Sequence, residues 1–154
     1  LETYRWYPQR EGRSDLVVER AQSAGVADDP LVRQRIAALH SFNQASRWTA
    51  DRAAAARALG RPPGSEGSIG KLARSEVARQ SHRAHTAIVG ADGMLRKTDD
   101  PTHTIVSEVL LSTPAQSIAG GTDEIQHNII GENVLGLPRE PSVDRGIPFR
   151  DVAR

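Results

Sequence analysis

From Leu31 to Leu59 the chain contains neither proline nor glycine. No other feature limits its fold so strongly. Val32, Ile36, Leu39 and Phe42 recur at intervals of three and four residues, with Ser46 in register, the period of one face of an α-helix. Trp48, Ala55 and Leu59 extend the seam less regularly. Asp28 or Asp29 can cap the start, and Pro30 suits a first helical turn. The spacing therefore predicts a 29-residue helix, roughly 43 Å long at the usual rise per residue. A helix of that length needs others packed along it.

Further helices follow from the same kind of punctuation. Residues 15–24 read as a short helix ended by Gly25. The segment from Gly60 to Gly67 carries paired prolines and glycines and cannot continue a helix. Ser68 can cap a helix over 69–89, with Ile69, Leu72, Ala73, Val77, Ala84 and Ile88 inward and Glu76 and Gln80 as polar interruptions. Residues 90–101 read as a loop. A helix is expected from Thr102 or Thr104 to Thr113, where Pro114 either kinks it or starts a new turn. Thr122 then caps a helix reaching about Leu135, with Ile125, Ile129, Ile130 and Val134 facing inward. After Gly136 the prolines predict an extended tail, with Leu137, Ile147 and Phe149 as possible anchors.

Phe, Trp and Tyr make up only 4% of the 154 residues, and hydrophobic residues 38%. The core must be built from Ala, Leu, Ile and Val, whose small side chains let helices approach closely. The expected fold is all-α: an antiparallel helical bundle of about four main helices. Residues 15–136 form the bundle, 1–14 a residual upstream helix or linker, and 137–154 the tail. Leu1 is not an initiator methionine, and the aromatic start suggests a piece of a longer protein.

The formal charge of +1 gives no broad attraction for nucleic acid or acidic membrane. There is no apolar run of membrane-spanning length. With no cysteine, disulfides and thiolate chemistry are excluded, and a cytoplasmic location fits. Arg33, Arg35, Arg47, Arg52 and Arg57 are distributed around the long helix and read as a solvated surface or subunit contact. Arg139, Arg145 and Arg150 either meet a phosphate-bearing ligand or keep the tail soluble.

Candidate sites are few. His82 and His85 lie three apart on one helix, but a metal would need further donors, so they read as helix-surface histidines. There is no HExxH and no GxSxG. Gly120 and Gly121 precede the cap Thr122, where the first helical amides have no internal partner. The glycines permit close approach of a ligand. Asp123 and Glu124 oppose a phosphate there and equally suit an ordinary dipole-compensating cap. Both readings stand on the residues alone. Gly90-Ala91-Asp92-Gly93 has the same two readings: a helix stop, or a place where a second chain or cofactor approaches.

The order of these pieces resembles the C-terminal helical domain of the acyl-CoA dehydrogenases, in the divergent actinobacterial branch of fatty-acid or sterol side-chain breakdown. The likeness rests on Ser117-Ile118-Ala119-Gly120-Gly121-Thr122-Asp123-Glu124-Ile125-Gln126 and the following Val134-Leu135-Gly136-Leu137-Pro138. Asp29 to Arg35 and Pro63 to Leu72 support it, and together the pieces cover residues 15–141. The resemblance implies a parent flavoenzyme that introduces an α,β double bond into an acyl-CoA thioester. In that chemistry a carboxylate removes the α proton and FAD accepts the β hydride.

It also implies site residues. Thr122, Asp123 and Glu124 resemble the residues around the flavin, and Gly121 the residue near the substrate thioester. Gly90, Ala91 and Gly93 resemble a glycine turn near the dinucleotide of an adjacent subunit. Gly120 stands where many members carry the catalytic Glu, so no catalytic residue is expected in this chain. Ala87, Ala91 and Ser23 depart from the family's cofactor motifs. FAD is therefore expected in the full-length or oligomeric protein, and weakly or not at all in an isolated, inactive domain. Expected partners are upstream dehydrogenase domains, a homo- or hetero-oligomer, and acyl-CoA. Three readings remain: a base on an upstream helix, a base-lacking subunit of a heteromer, or a non-catalytic interaction domain.

Overall fold

A computed structural model describes residues 12–62, 64–95, 101–139, 141–142 and 146–152. The predicted stub before Gly12 and the tail residue Arg145 lie outside the described residues, as do the side chains of Thr102, Ile105 and Phe149. Among the described residues five α-helices form an all-α bundle: α1 (Val17–Ser23), α2 (Pro30–Ala58), α3 (Glu66–Val89), α4 (Pro101–Ile118) and α5 (Asp123–Asn133). The last four are the main helices, and α3 packs against all the others.

The long helix starts where its cap residues require. Asp29 takes an extended conformation, and its Oδ1 accepts from the amides of Leu31 and Val32 at 2.8 and 3.1 Å. Val32 and Leu39 then join Val17, Ala21, Ala84 and Ile88 in the core between α1, α2 and α3. The seam does not continue as expected. Trp48 and Leu59 are 66% and 76% exposed, and Ala53 is buried instead. At 100° per residue Trp48 and Leu59 fall on the side opposite Val32 and Leu39. The five arginines of α2 are exposed. Arg33 and Arg47 reach Asp28 and Asp51 only at 4.0 Å.

α3 begins earlier than predicted. Ser65, not Ser68, is the N-cap, and its side chain makes no capping bond. Ser68 is buried inside the first turn. The inward face also differs: Ser75, Ala78 and Ser81 are buried, while Ile69 is 37% exposed. A central helix with neighbours on several sides needs small residues where the backbones approach most closely. Glu76 and Gln80, the polar interruptions, serve each other: Gln80 Nε2 donates to Glu76 Oε1 at 2.6 Å.

No new turn starts at Pro114: α4 runs through it to Ile118. The missing amide costs one intrahelical bond, to the carbonyl of Leu110, and packing on α3 outweighs it. On α5 the expected apolar face is only partly inward: Ile129 and Ile130 are half-buried. Ile125 and Val134 are 50% and 53% exposed, whereas Asp123 and Gln126 are buried. In the tail, the Leu137 amide donates to the Gly131 carbonyl at 3.0 Å, but Ile147 is exposed.

His85 corrects the helix-surface reading, because it is fully buried. Its Nε2–H donates to the Arg13 carbonyl at 3.1 Å, and Ser81 Oγ–H donates to the Gly12 carbonyl. These two bonds tie the segment before α1 to α3. Burial pushes the His85 pKa below its ordinary value, and His82 shifts the same way for the same reason. His85 Nδ1 has no partner, so a second ring proton would have no acceptor. The unfolded chain takes up a proton below about pH 6.5 that the folded chain resists. Stability is therefore expected to be full above that pH and to fall as pH drops below it. Denaturation curves at several pH values check this, and His85→Gln should flatten the slope.

Candidate functional site

The connection between α4 and α5 is two residues in left-handed backbone followed by a cap. Gly120 and Gly121 have φ of 70° and 89°, a region that L side chains enter at a cost of about 1–2 kcal/mol. Thr122 returns to extended backbone, and its Oγ1 accepts from the Ile125 amide at 3.3 Å. Gln126, one turn into α5, reaches back so that its Nε2 donates to the Gly120 carbonyl at 3.1 Å. A Cβ on Gly121 would sit 2.6 Å from that nitrogen, whereas one on Gly120 would meet nothing within 4 Å. A side chain at 121 would displace Gln126 from the turn's own bond; one at 120 would meet open space.

Asp123 follows the cap and is buried. Its Oδ1 accepts from Lys71 Nζ at 2.6 Å, and its Oδ2 from Arg79 Nη1 at 2.8 Å. Ser75 Oγ lies 2.8 Å from Oδ1 and 3.0 Å from the Gln116 carbonyl, and its one proton serves either. Arg79 also donates to Ser117 Oγ at 2.8 Å and pairs with Glu76. Burial raises the Asp123 pKa, but hydrogen bonds from Arg79, Lys71, Ser75 and Ser117 outweigh it and hold the carboxyl well below the usual carboxylate range. Asp123 is thus an ionised clamp between α3, α4 and α5. Glu124 is exposed; bonds from its own amide and from the Thr122 hydroxyl lower its pKa.

The clamp changes the electrostatics of the turn. Two acids at a helix start oppose an anion, but here one of them is matched by two cations. Lys71, Ser75 and Arg79 escape an apolar-periodicity reading, yet they stand four apart on one helix face. That polar stripe was a usable signal.

Beside the turn lies a cleft of about 900 Å³, bounded by the start of α3, the end of α4 and one side of α5. Lys71, Arg74, Gln116, Gly120 and Gln126 line it together with Ile129, and among the described residues no Asp or Glu lines it. The other glycine turn is elsewhere. Gly90, Ala91 and Gly93 form a 3-10 turn directly after α3, and a Cβ on Gly93 would come near Val106 early in α4. Gly120 follows the other end of α4, whose 18 residues span about 27 Å. Gly90, Ala91 and Gly93 are therefore not brought together with Gly121, Thr122, Asp123 and Glu124. Ala87 packs against the core cluster. Among the described residues no three His, Asp or Glu side chains are grouped to hold a metal ion, and no helix is long and apolar enough to cross a membrane.

Comparison with known proteins gives consistent neighbours. Residues 14–135 match the model of the C-terminal domain of acyl-CoA dehydrogenase. The acyl-CoA dehydrogenase IpdE1 of Mycobacterium tuberculosis is 34% identical over 130 residues, covering 80% of this chain and 31% of that protein. Its counterpart in Mycolicibacterium smegmatis is 33% identical over 128 residues, covering 80% and 30%. The chain thus spans about a third of the length of these curated relatives. Among solved structures, the ChsE4-ChsE5 complex from Mycobacterium tuberculosis has a TM-score of 0.67 at 26% identity, over 86% of this chain and 36% of that one. The Tcur3481-Tcur3483 steroid ACAD has a TM-score of 0.70 at 23% identity, over 82% and 34%; that likeness speaks to the fold.

Proposed function

The chain belongs to the acyl-CoA dehydrogenase family, as its C-terminal domain, and from that premise we propose that it is the cofactor-contributing, base-lacking part of a heteromeric dehydrogenase. Its parent would work in the cytoplasm on a fatty acyl or steroid CoA thioester. One observation carries this reading: Gly120 stands at the turn itself, and among the described residues no carboxylate lines the cleft beside it. Removing an α proton needs a base within hydrogen-bond reach. Asp123 is ionised but held by Lys71, Ser75 and Arg79, and Glu124 points to solvent. The base must come from outside this domain. That one structural neighbour is a complex of two different chains supports placing it in a partner.

The residues of the turn suit a flavin. Gly120 leaves space where a side chain would stand, Asp123 is neutralised, and Thr122 fixes the first turn of α5. Thr122, Glu124 and the backbone of Asp123 would hold FAD on one side, and Gly90, Ala91 and Gly93 that of a neighbouring subunit. Bound FAD would supply the acceptor for the β hydride. This chain's own work is positional. Gly121 lets the thioester come close to backbone. The Asp123 clamp fixes the direction of the first amides of α5, whose positive dipole end favours the developing negative charge of an enolate-like oxygen.

The test is co-expression of the full-length protein with its candidate partner, followed by flavin content and turnover of an acyl-CoA with a dye acceptor. Turnover should require both chains. Loss of the partner's carboxylate base should lower kcat by about 100- to 10,000-fold, on the order expected for a general base. A full-length homomer that turns over at the rate of the complex would sink the proposal. A complex that binds neither flavin nor acyl-CoA would leave a helical interaction domain.

A further inference from the structure

The cleft beside the turn has a second end that the proposed chemistry leaves without a role. Arg74 lies one turn beyond Lys71 on α3, and both line the cleft. Lys71 is matched by Asp123 at 2.6 Å. Arg74 is exposed, and among the described residues it has no ion-pair partner. Opposite it on α4, Gln116 is 7% exposed, lines the same cleft, and its side-chain Nε2 has no hydrogen-bond partner. A buried amide donor left unpaired is costly, and native structures rarely retain one without a use. Ser65, at the start of α3, caps without a side-chain bond and lines the cleft too. The cleft therefore joins an exposed cation without an ion-pair partner, an unpaired buried donor and an open helix start, with no acid among its described lining residues.

We propose that Arg74 and Gln116 form an oxyanion subsite of the cleft, which holds an anionic group of the bound thioester away from its reacting carbons. The proposal rests on the acyl-CoA reading and adds to it the part of the substrate that this end recognises. A guanidinium presents paired donors that match a carboxylate or phosphate edge, and the Gln116 amide adds a third. The two sources are a phosphate of CoA and a carboxylate carried at the far end of the acyl chain. The apolar wall made by Ala119, Ile129 and Val134 suits the aliphatic stretch leading to either.

Calorimetry on the full-length protein in its assembled complex tests this without turnover. Three unreactive thioether probes separate the sources: S-hexyl-CoA, S-hexyl-pantetheine, and an S-alkyl-pantetheine whose alkyl chain ends in a carboxylate. Arg74→Met should weaken the probe carrying the recognised group about 10- to 100-fold, the size of a lost charge-assisted pair. Arg74→Lys should recover part of that. Loss confined to the CoA probe identifies phosphate, and loss confined to the carboxylate probe identifies the acyl carboxylate. Gln116→Leu should weaken the same probe without lowering the melting temperature, because it removes an unpaired polar group rather than a bond. If Arg74→Met binds all three probes as the wild type does, or no probe binds, the subsite is overturned. If Arg74-dependent binding is found but no thioester is dehydrogenated with the partner present, the subsite stands and the dehydrogenase reading fails.

Discussion

Asp123→Ala is expected to destabilise the protein by about 3 kcal/mol, the usual cost of removing one partner from a buried ion pair. The variant leaves Lys71, whose side chain is only 11% exposed, without a counter-charge. Arg79 is 36% exposed and keeps Glu76, so solvent and Glu76 moderate its part of the loss. The same clamp predicts an acid limb in the pH–stability curve. The folded-state pKa lies below the unfolded value, so the stabilisation is complete above about pH 4 and is lost as pH falls toward the folded value. Asp123→Asn should remove most of that limb while preserving shape. Denaturant midpoints measured across the acid range for the wild type and both variants give the answer. An unchanged midpoint for Asp123→Ala would mean that the clamp contributes nothing net.

Gly121→Ala is the second large effect, expected to cost about 2–3 kcal/mol. Positive φ alone costs about 1–2 kcal/mol for an L residue, and the lost Gln126 bond adds about 1 kcal/mol. Gly120→Ala offers a matched control. Its φ is also positive, but a Cβ there meets nothing within 4 Å, so only the backbone cost of about 1 kcal/mol applies. The pair should therefore differ measurably in melting temperature although they are neighbours. In the assembled enzyme Gly121→Ala should also lower flavin content, because the turn and the first residues of α5 shift together. Equal losses for the two variants would show that the Gln126 contact carries no weight.

Much of this could be read before any coordinates. The limits of α2 follow from Asp29, Pro30 and the absence of breakers, all of which act within a few residues. Thr122 caps α5 because its hydroxyl reaches the amide three residues on. Those interactions are local, and local chemistry is what sequence pattern reports. The errors share one cause. Ile125 and Val134 face outward, and Ser75, Ser81 and His85 go inside, because of what lies across the bundle. Apolar periodicity assumes that the buried face is the greasy one. Here α5 is held on α3 largely through an ionised carboxylate and its partners, so its polar residues turn inward.

The sequence by itself determined the helical class, the caps, and that position 120 carries no side chain able to act as a base. Those are properties of single residues and of neighbours within one helical turn. The electrostatic character of the Gly120–Asp123 turn was decided only by tertiary structure. Lys71 and Arg79 stand 52 and 44 residues from Asp123 along the chain, and packing of α3 against α5 brings them within hydrogen-bond distance. A start of two acids that would repel an anion becomes one matched acid and one exposed acid. Coulombic interaction depends on distance in space, which chain separation does not report.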